Sequence, residues 1–202
     1  MRSFLTDQAD CVVQQLSGQS RYRVHVHECS HFLDVLRYSA VESLSQPWRY
    51  DVVVTCSSAD IACDALLLKP ASFTFQVPMS DGTPALPLRT VFGVVEAFRR
   101  ISASNDETRY ALTIVPRIAL LNYTKGSEIY LNQSVTEVVE QVLRKHGLEG
   151  QDFEFRLSRE YPPRELITQW RETDLEFIRR LLAEVGIYWR YEMDSRLEQD
   201  IV

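Results

Sequence analysis

The first half of the chain alternates apolar and polar residues, and the second half contains two stretches where apolar residues recur at helical spacing. From Arg21, residues Tyr22, Val24 and Val26 alternate with Arg23, His25 and His27, as in a strand with one buried and one wet face. Glu28 to Ser30 interrupts it, Phe32 to Ser39 reads as a second strand, and the two together read as a hairpin. Arg49 to Cys56 is β-branched enough to be central in a sheet. Ser58 can cap a short helix to about Leu68, Pro70 blocks its continuation, and Ser72 to Val77 is again strand-like. Pro78 to Pro87 is a loop. Thr90 to Phe98 and Arg109 to Val115 are two apolar strands joined by a small polar turn. At Cys11 to Leu16 periodicity does not decide between strand and helical turn.

Helical spacing begins at Ser134. Its hydroxyl and Glu137 form a capping box, Val135, Val138, Val139, Val142 and Leu143 make one apolar face, and Gly147 ends the helix. Phe153 to Leu157 is an expected strand, and Pro162 and Pro163 impose extended backbone. Thr173 and Glu176 repeat the capping box before Phe177, Ile178, Leu181, Leu182 and Val185, with Gly186 as the stop. Ile187, Trp189 and Tyr191 then alternate with Tyr188 and Arg190, predicting a strand. The pattern predicts a β-rich α+β chain: an antiparallel, barrel-like domain over 1–124 and an incomplete α+β domain over 125–202, with the boundary near Lys125.

Composition narrows the function. With 45% hydrophobic and 25% charged residues the chain has the means to bury a core. A net charge of -6, with no Lys/Arg run longer than two, argues against nucleic acid as a partner. No apolar run approaches the ~20 residues that span a bilayer, so stable membrane insertion is not expected. The opening MRSFLTDQAD carries acids where a signal peptide has its apolar core, and synthesis in the cytoplasm without a leader is expected. Cys11, Cys29, Cys56 and Cys63 form no CxxC pair and read as reduced thiols.

Candidate chemistry is sparse. His25, His27, Cys29 and His31 share one strand parity, but an extended strand spreads them over ~20 Å, so at most a pair such as His25 and His27 meets one metal ion. The simpler reading is a wet strand face followed by a turn. Glu172, Asp174 and Glu176 suggest paired carboxylates, yet two of them sit at a helix N-terminus, where negative charge is stabilising. Arg164, Arg171, Arg179 and Arg180 read as a solvated face, and Trp170 and Trp189 as core or interface aromatics. Phosphate loops, nucleophile elbows and zinc-protease motifs are missing, so no catalytic residue and no cofactor is expected.

One stretch carries a resemblance. Tyr161, Pro162, Arg164 and Glu165, then Gln169, Trp170, Glu172, Thr173 and Asp174, then Phe177, Arg180, Leu181, Leu182, Glu184, Gly186, Ile187 and Tyr188 run without a gap. Upstream, Glu42, Leu44, Ser45, Pro47 and Tyr50 follow Ala40, which stands where the pattern has glycine; Gly93, Val94 and Val95, and Tyr110, Leu112, Ile114 and Pro116 complete the set. These segments resemble the VgrG family, the spike proteins of bacterial type VI secretion systems, with baseplate hubs of contractile-tailed phages as relatives. The resemblance implies a phage baseplate hub fold and a non-enzymatic role. Three copies would form a ring that caps an Hcp-like tube, contacts baseplate components, and carries effectors or a tip protein through further parts; family members continue into a second barrel and a β-needle. It also implies export by the apparatus itself. A phage hub is the near alternative, a peptide- or effector-binding module on the same scaffold the distant one, and an enzyme using the histidines more distant still.

Overall fold

A computed structural model describes residues 20–79, 84–104 and 107–202. The patch Cys11 to Leu16 lies outside them, as do 80–83 of the proline-rich loop and 105–106 of the turn. By their internal contacts the described residues form two units, 20–41 with 49–115, and 42–48 with 116–202. The change falls between Val115 and Pro116, ahead of Lys125, and the short segment 42–48 goes with the later residues.

The first unit is one antiparallel sheet of β1 (Tyr22–Val26), β2 (Asp34–Val41), β3 (Arg49–Cys56), β4 (Pro70–Val77), β5 (Leu86–Ala103) and β6 (Thr108–Val115), in the order β1-β4-β5-β6-β3-β2. The expected hairpin of the first two strands is not formed. β1 pairs with β4 and β2 with β3, at opposite edges. Alternation specifies which face of a strand is wet but not which strand lies beside it; here Glu28 turns the chain in the left-handed region (φ 60) and the His27 N–H donates to Pro70 O at 2.8 Å, committing β1 to β4.

The two edges nevertheless approach each other, because the sheet curls. Register shifts interrupt β4 against β5 at Phe75/Gln76 and β5 against β6 at Val95/Ala97 and Arg100/Ser102, and each extra residue bends its strand. Pro87 faces Gln76 at the first of them, where a missing N–H costs no ladder bond. Inside the curl Tyr22 of one edge meets Tyr38 of the other at 4.8 Å between ring centroids, with Tyr38–Phe73 at 5.0 Å and Phe73–Phe75 at 5.2 Å. Phe73 and Tyr50 are fully buried. Aromatic packing thus joins edges that no hydrogen-bond ladder joins.

The helix expected after Ser58 shrinks to a single 3-10 turn at Cys63–Ala65 without a side-chain cap. The sheet overrides the local signal: Leu68 N–H donates to Val95 O and Val95 N–H to Lys69 O, while buried Ile61 and Leu66 plug the core. The Ser58 carbonyl instead accepts from the Tyr110 hydroxyl at 3.0 Å.

The second unit contains β7 (Lys125–Gln133), α1 (Val135–Lys145), β8 (Arg164–Thr173), α2 (Asp174–Glu184), and a small hairpin of β9 (Glu192–Asp194) with β10 (Gln199–Ile201). Both capping boxes form as the sequence predicts, Ser134 with Glu137 and Thr173 with Glu176. Both helices end in a left-handed glycine, Gly147 (φ 75) and Gly186 (φ 73). The two bonds of a Schellman stop close each: Leu148 N–H to Leu143 O and Gly147 N–H to Arg144 O, then Ile187 N–H to Leu182 O and Gly186 N–H to Ala183 O. Their apolar faces meet in one core with Tyr130 and Ile167 of the β7–β8 ribbon. A 3-10 turn, Arg117–Tyr123, and β7 itself carried no sequence signal strong enough to assign. Phe153–Leu157 and Ile187–Tyr191, expected as strands, form no ladder; alternation keeps Phe153 and Trp189 inward and Glu154, Arg156, Tyr188 and Arg190 outward, but neither segment has a neighbouring strand among the described residues.

Three buried carboxylates, Asp152, Asp174 and Asp200, fasten this unit. Asp174, fully buried at the start of α2, accepts from His146 Nε2 at 2.6 Å and from Gln169 Nε2 at 2.7 Å, with Lys145 Nζ at 3.7 Å, while its own N–H donates to Thr124 O at 2.9 Å. Burial pulls its pKa up, but Gln169, His146 and Lys145 together hold it below the ordinary value. Asp200, also buried, shares Arg117 with Asp152: Arg117 lies 3.6 Å from Asp200 and 2.6 Å from Asp152. Desolvation wins there, and the Asp200 carboxyl is pushed up to about 6.

Asp174 and Asp200 have opposite pH signatures. Asp174, depressed, contributes stability that is lost as acid protonates it; Asp200, raised, contributes stability at low pH that is lost as pH rises through about 6. Trp48, Trp170 and Trp189, the only tryptophans, all lie in the second unit, so their fluorescence in urea reports its unfolding. Asp200→Asn is expected to stabilise this unit at pH 7 by about 1–3 kcal/mol and to bring no gain at pH 4; equal effects at both pH values would show that Asp200 does not titrate as described. Asp174→Ala, which strands His146 and Gln169, is expected to cost about 3–5 kcal/mol at pH 7 in the same measurement.

Candidate functional site

Several of the residues that carry the family resemblance are engaged inside the scaffold, while Trp170 and Tyr188 face solvent. Gln169 is 1% exposed and bonds both Asp174 and the Glu172 carbonyl, and a Cβ on Gly126 would stand 3.4 Å from its amide. Phe177 and Leu181 are wholly buried, and Gly186 is the helix stop. Arg180 makes a two-toothed bond to Glu172 (2.6 and 3.1 Å), reaches Glu184 at 2.9 Å and caps the Thr168 carbonyl at 2.9 Å; Arg164 also holds Glu184, at 2.7 Å. These two arginines, with side chains 37–41% exposed, lie on a solvated face as the sequence suggests and there also tie β8 to α2: the fold brings residues 8 to 20 positions apart together.

The remaining members are also structural. Ser45, in the left-handed region (φ 57), is clamped to Trp189 by its N–H on the Trp189 carbonyl (2.9 Å) and by its hydroxyl, which accepts the Trp189 N–H (3.3 Å). Pro47 precedes buried Trp48, which meets Tyr191 edge-on at 6.2 Å. Gly93 pairs with Ala71 across β4 and β5, Tyr110 stacks on Phe98 at 5.1 Å, and the buried Pro116 starts the 3-10 turn. Tyr161 lies under the Arg159 guanidinium at 5.1 Å; Pro162 and Glu42 are exposed.

His25 is exposed on the wet face of β1 and His27 is exposed in the turn after it, and among the described residues no three metal-type side chains converge. Of the carboxylates, Glu176 caps α2, Glu172 is taken by Arg180, and Asp174 is sealed in the core. Helix-terminus reasoning foresees the cap and misses the network, which extends from buried Asp174 through the half-exposed Lys145 to Glu128 (2.6 Å) and from Glu128 to the Tyr130 hydroxyl (2.9 Å). Lys145 and then Tyr130 hold the Glu128 pKa down, and burial followed by Glu128 pushes the Tyr130 phenol up.

What this scaffold presents outward is the other face of the β7–β8 ribbon. Tyr130, Ile167 and Gln169 point into the core, so Ile129, Leu131, Leu166 and Trp170 point to solvent, and these four are 56–68% exposed. Leu131 pairs with Leu166, Ile129 with Thr168 and Ser127 with Trp170 across the ribbon, forming a continuous apolar stripe. Arg171 lies against the Trp170 ring at 5.2 Å, and Tyr123 is 71% exposed. A contiguous apolar face of this kind marks an interaction surface rather than a site for chemistry.

Comparison with known proteins agrees with the architecture. The phage tail baseplate hub (GPD) family matches residues 41–201. The spike proteins VgrG4b and VgrG1b of the type VI secretion system of Pseudomonas aeruginosa are 31% and 34% identical over 87% and 81% of the chain, which spans only 20% and 21% of their lengths. Among solved structures, an Escherichia coli component of the type VI secretion system, described as similar to the T4 tail proteins gp27 and gp5, aligns with a TM-score of 0.80 at 38% identity, covering 89% of this chain and 47% of that one. A 43 kDa prophage tail protein from Shewanella oneidensis shares the fold at 13% identity, with a TM-score of 0.55, covering 89% of this chain and 54% of its own. The curled antiparallel sheet followed by a capped two-helix unit is thus a baseplate hub fold, and this chain belongs to the phage tail baseplate hub family.

Proposed function

We propose that this chain is the hub portion of a type VI secretion spike: a structural, non-enzymatic part in which three copies associate, seat on an Hcp-like tube, contact baseplate components, and carry effectors or a tip protein through further parts of the spike. In this reading it assembles in the cytoplasm and leaves the cell with the apparatus. The observation that carries it is the 38% identity and TM-score of 0.80 to a component of that system across 89% of the chain. The division of labour among residues supports it, since the motif side chains stabilise a scaffold and the outward face of that scaffold is apolar. The fold shared with a prophage tail protein favours, as second reading, a hub of a contractile phage tail, with the same physics of assembly.

The contact between copies is assigned to the β7–β8 stripe. Copies with a net charge of -6 repel at long range, so their association must come from desolvated apolar area, and Ile129, Leu131, Leu166 and Trp170 offer it on a rigid support. In sedimentation experiments the chain by itself is expected to associate weakly, with a Kd on the order of 10⁻⁴ M, and more strongly at high salt as repulsion is screened. Ile129→Thr combined with Trp170→Ser is expected to abolish that association while leaving the circular dichroism spectrum unchanged. A wild-type chain that stays monomeric at millimolar concentration, or a double variant that associates as wild type does, would exclude the stripe as the contact.

A further inference from the structure

The cations of the second unit are sorted by place. Arg117, Arg144, Arg156, Arg164, Arg180 and Arg190 each hold a carboxylate. Among the described residues Lys125, Arg171 and Arg179 form no ion pair, and these three gather at the end of the β7–β8 ribbon where α2 begins. Lys125 stands opposite Thr173, the cap of α2, and Arg171 lies two residues before that cap. The Glu176 carboxyl is held below its ordinary pKa by the Thr173 hydrogen bonds and, at longer range, by Lys125 and Arg179, which places both cations near it. The acids nearby are already engaged: Glu176 accepts the Thr173 N–H at 2.8 Å, Glu172 is held by Arg180 at 2.6 Å, and Asp174 is sealed in the core. A chain with a net charge of -6 therefore carries a local surplus of positive charge here.

A bulge turns one of these cations outward. Gly126 pairs with Glu172 and Ser127 with Trp170, so Arg171 is an extra residue in β8. Its backbone lies in the left-handed region (φ 53), which is unfavourable for a residue with a side chain, and its N–H donates to the Ser127 hydroxyl at 3.1 Å. The extra residue lets Glu172 turn in to Arg180 while Trp170 stays outward, with the Arg171 guanidinium 5.2 Å from the Trp170 ring. Tyr123, 71% exposed, lies two residues before Lys125. We infer that Lys125, Arg171 and Arg179, with Trp170 and Tyr123, form a cleat that takes a carboxylate-bearing surface of a second copy. This assignment rests on the β7–β8 stripe being the contact between copies, since Trp170 belongs to both. A second copy is the occupant whose charge fits, because acids outnumber Lys and Arg in the chain and also within its second unit. Apolar area attracts without choosing a direction, whereas a cation that must meet a carboxylate fixes one orientation. The stripe supplies the attraction and the cleat sets the register.

Sedimentation of the chain in about 20 mM and about 500 mM salt tests the cleat. At low salt Arg171→Glu is expected to raise the Kd of self-association at least about tenfold. Arg196→Glu makes the same change of charge at a side chain 85% exposed in the turn between β9 and β10, and is expected to raise it by at most about threefold. At high salt the gap between these two variants is expected to close to within about twofold. Arg171→Lys, which keeps the charge, is expected to stay within about threefold of wild type, and Lys125→Glu, outside the bulge, to weaken association as Arg171→Glu does. The circular dichroism spectra of all four are expected to match wild type. Arg171→Glu and Lys125→Glu variants that associate no more weakly than Arg196→Glu overturn the cleat and leave the stripe standing. A deficit in Arg171→Glu of the same size at both salt concentrations also overturns it, because lost packing on Trp170 rather than lost charge then accounts for the change. A wild-type chain that stays monomeric at millimolar concentration overturns the stripe and the cleat together.

Discussion

The second unit depends on one buried carboxylate. Asp174 has no access to water, so it must be fully bonded, and the partners that satisfy it come from the end of α1 (His146), from β8 (Gln169) and from the turn before β7 (Thr124). That requirement fixes the relative placement of these elements more tightly than apolar contact does, because a carboxylate tolerates little displacement of its donors. The helix ends help: the acid at the N-terminus of α2 complements its dipole, as Arg144 and Lys145 in the last turn of α1 complement the other.

From this placement follows the character of the surface. With one face of the β7–β8 ribbon held against α1 and α2, period-two geometry sends Ile129, Leu131, Leu166 and Trp170 outward together. Arg164 and Arg180, tied to Glu172 and Glu184, keep the ribbon and α2 from sliding past each other. Of the residues that carry the family pattern, Gln169, Asp174, Phe177, Leu181 and Leu182 belong to the interior, whereas Trp170 and Tyr188 face solvent.

Where expectation and structure disagree, the disagreements share a cause. The β1–β2 hairpin, the helix after Ser58, and the strands at 153–157 and 187–191 rest on local pattern, and in each case the presence or absence of a distant partner decides the outcome. β4 takes β1, Val95 draws Leu68 and Lys69 to the sheet, and the last two segments stay extended beside a groove. The alternation itself was right in all three strand cases: Val24, Val26, Phe153 and Trp189 face inward as read. Burial of a side chain follows from its own chemistry, whereas a ladder needs a second strand at the correct distance.

The sequence by itself determined the elements whose signals are local. Ser134 with Glu137 and Thr173 with Glu176 start the two helices, Gly147 and Gly186 stop them, and the apolar spacing between names the faces that are buried. The caps and stops depend on hydrogen bonds within five residues, so no fold is needed to read them. The tertiary structure alone decided that Asp174 is sealed and bonded rather than set at an exposed helix end, that β7 exists and pairs with β8, and that Trp170 faces solvent while Trp189 faces the core. Each of these depends on groups brought together from distant positions, and the energy of a buried charge or an exposed ring is defined only once its surroundings are.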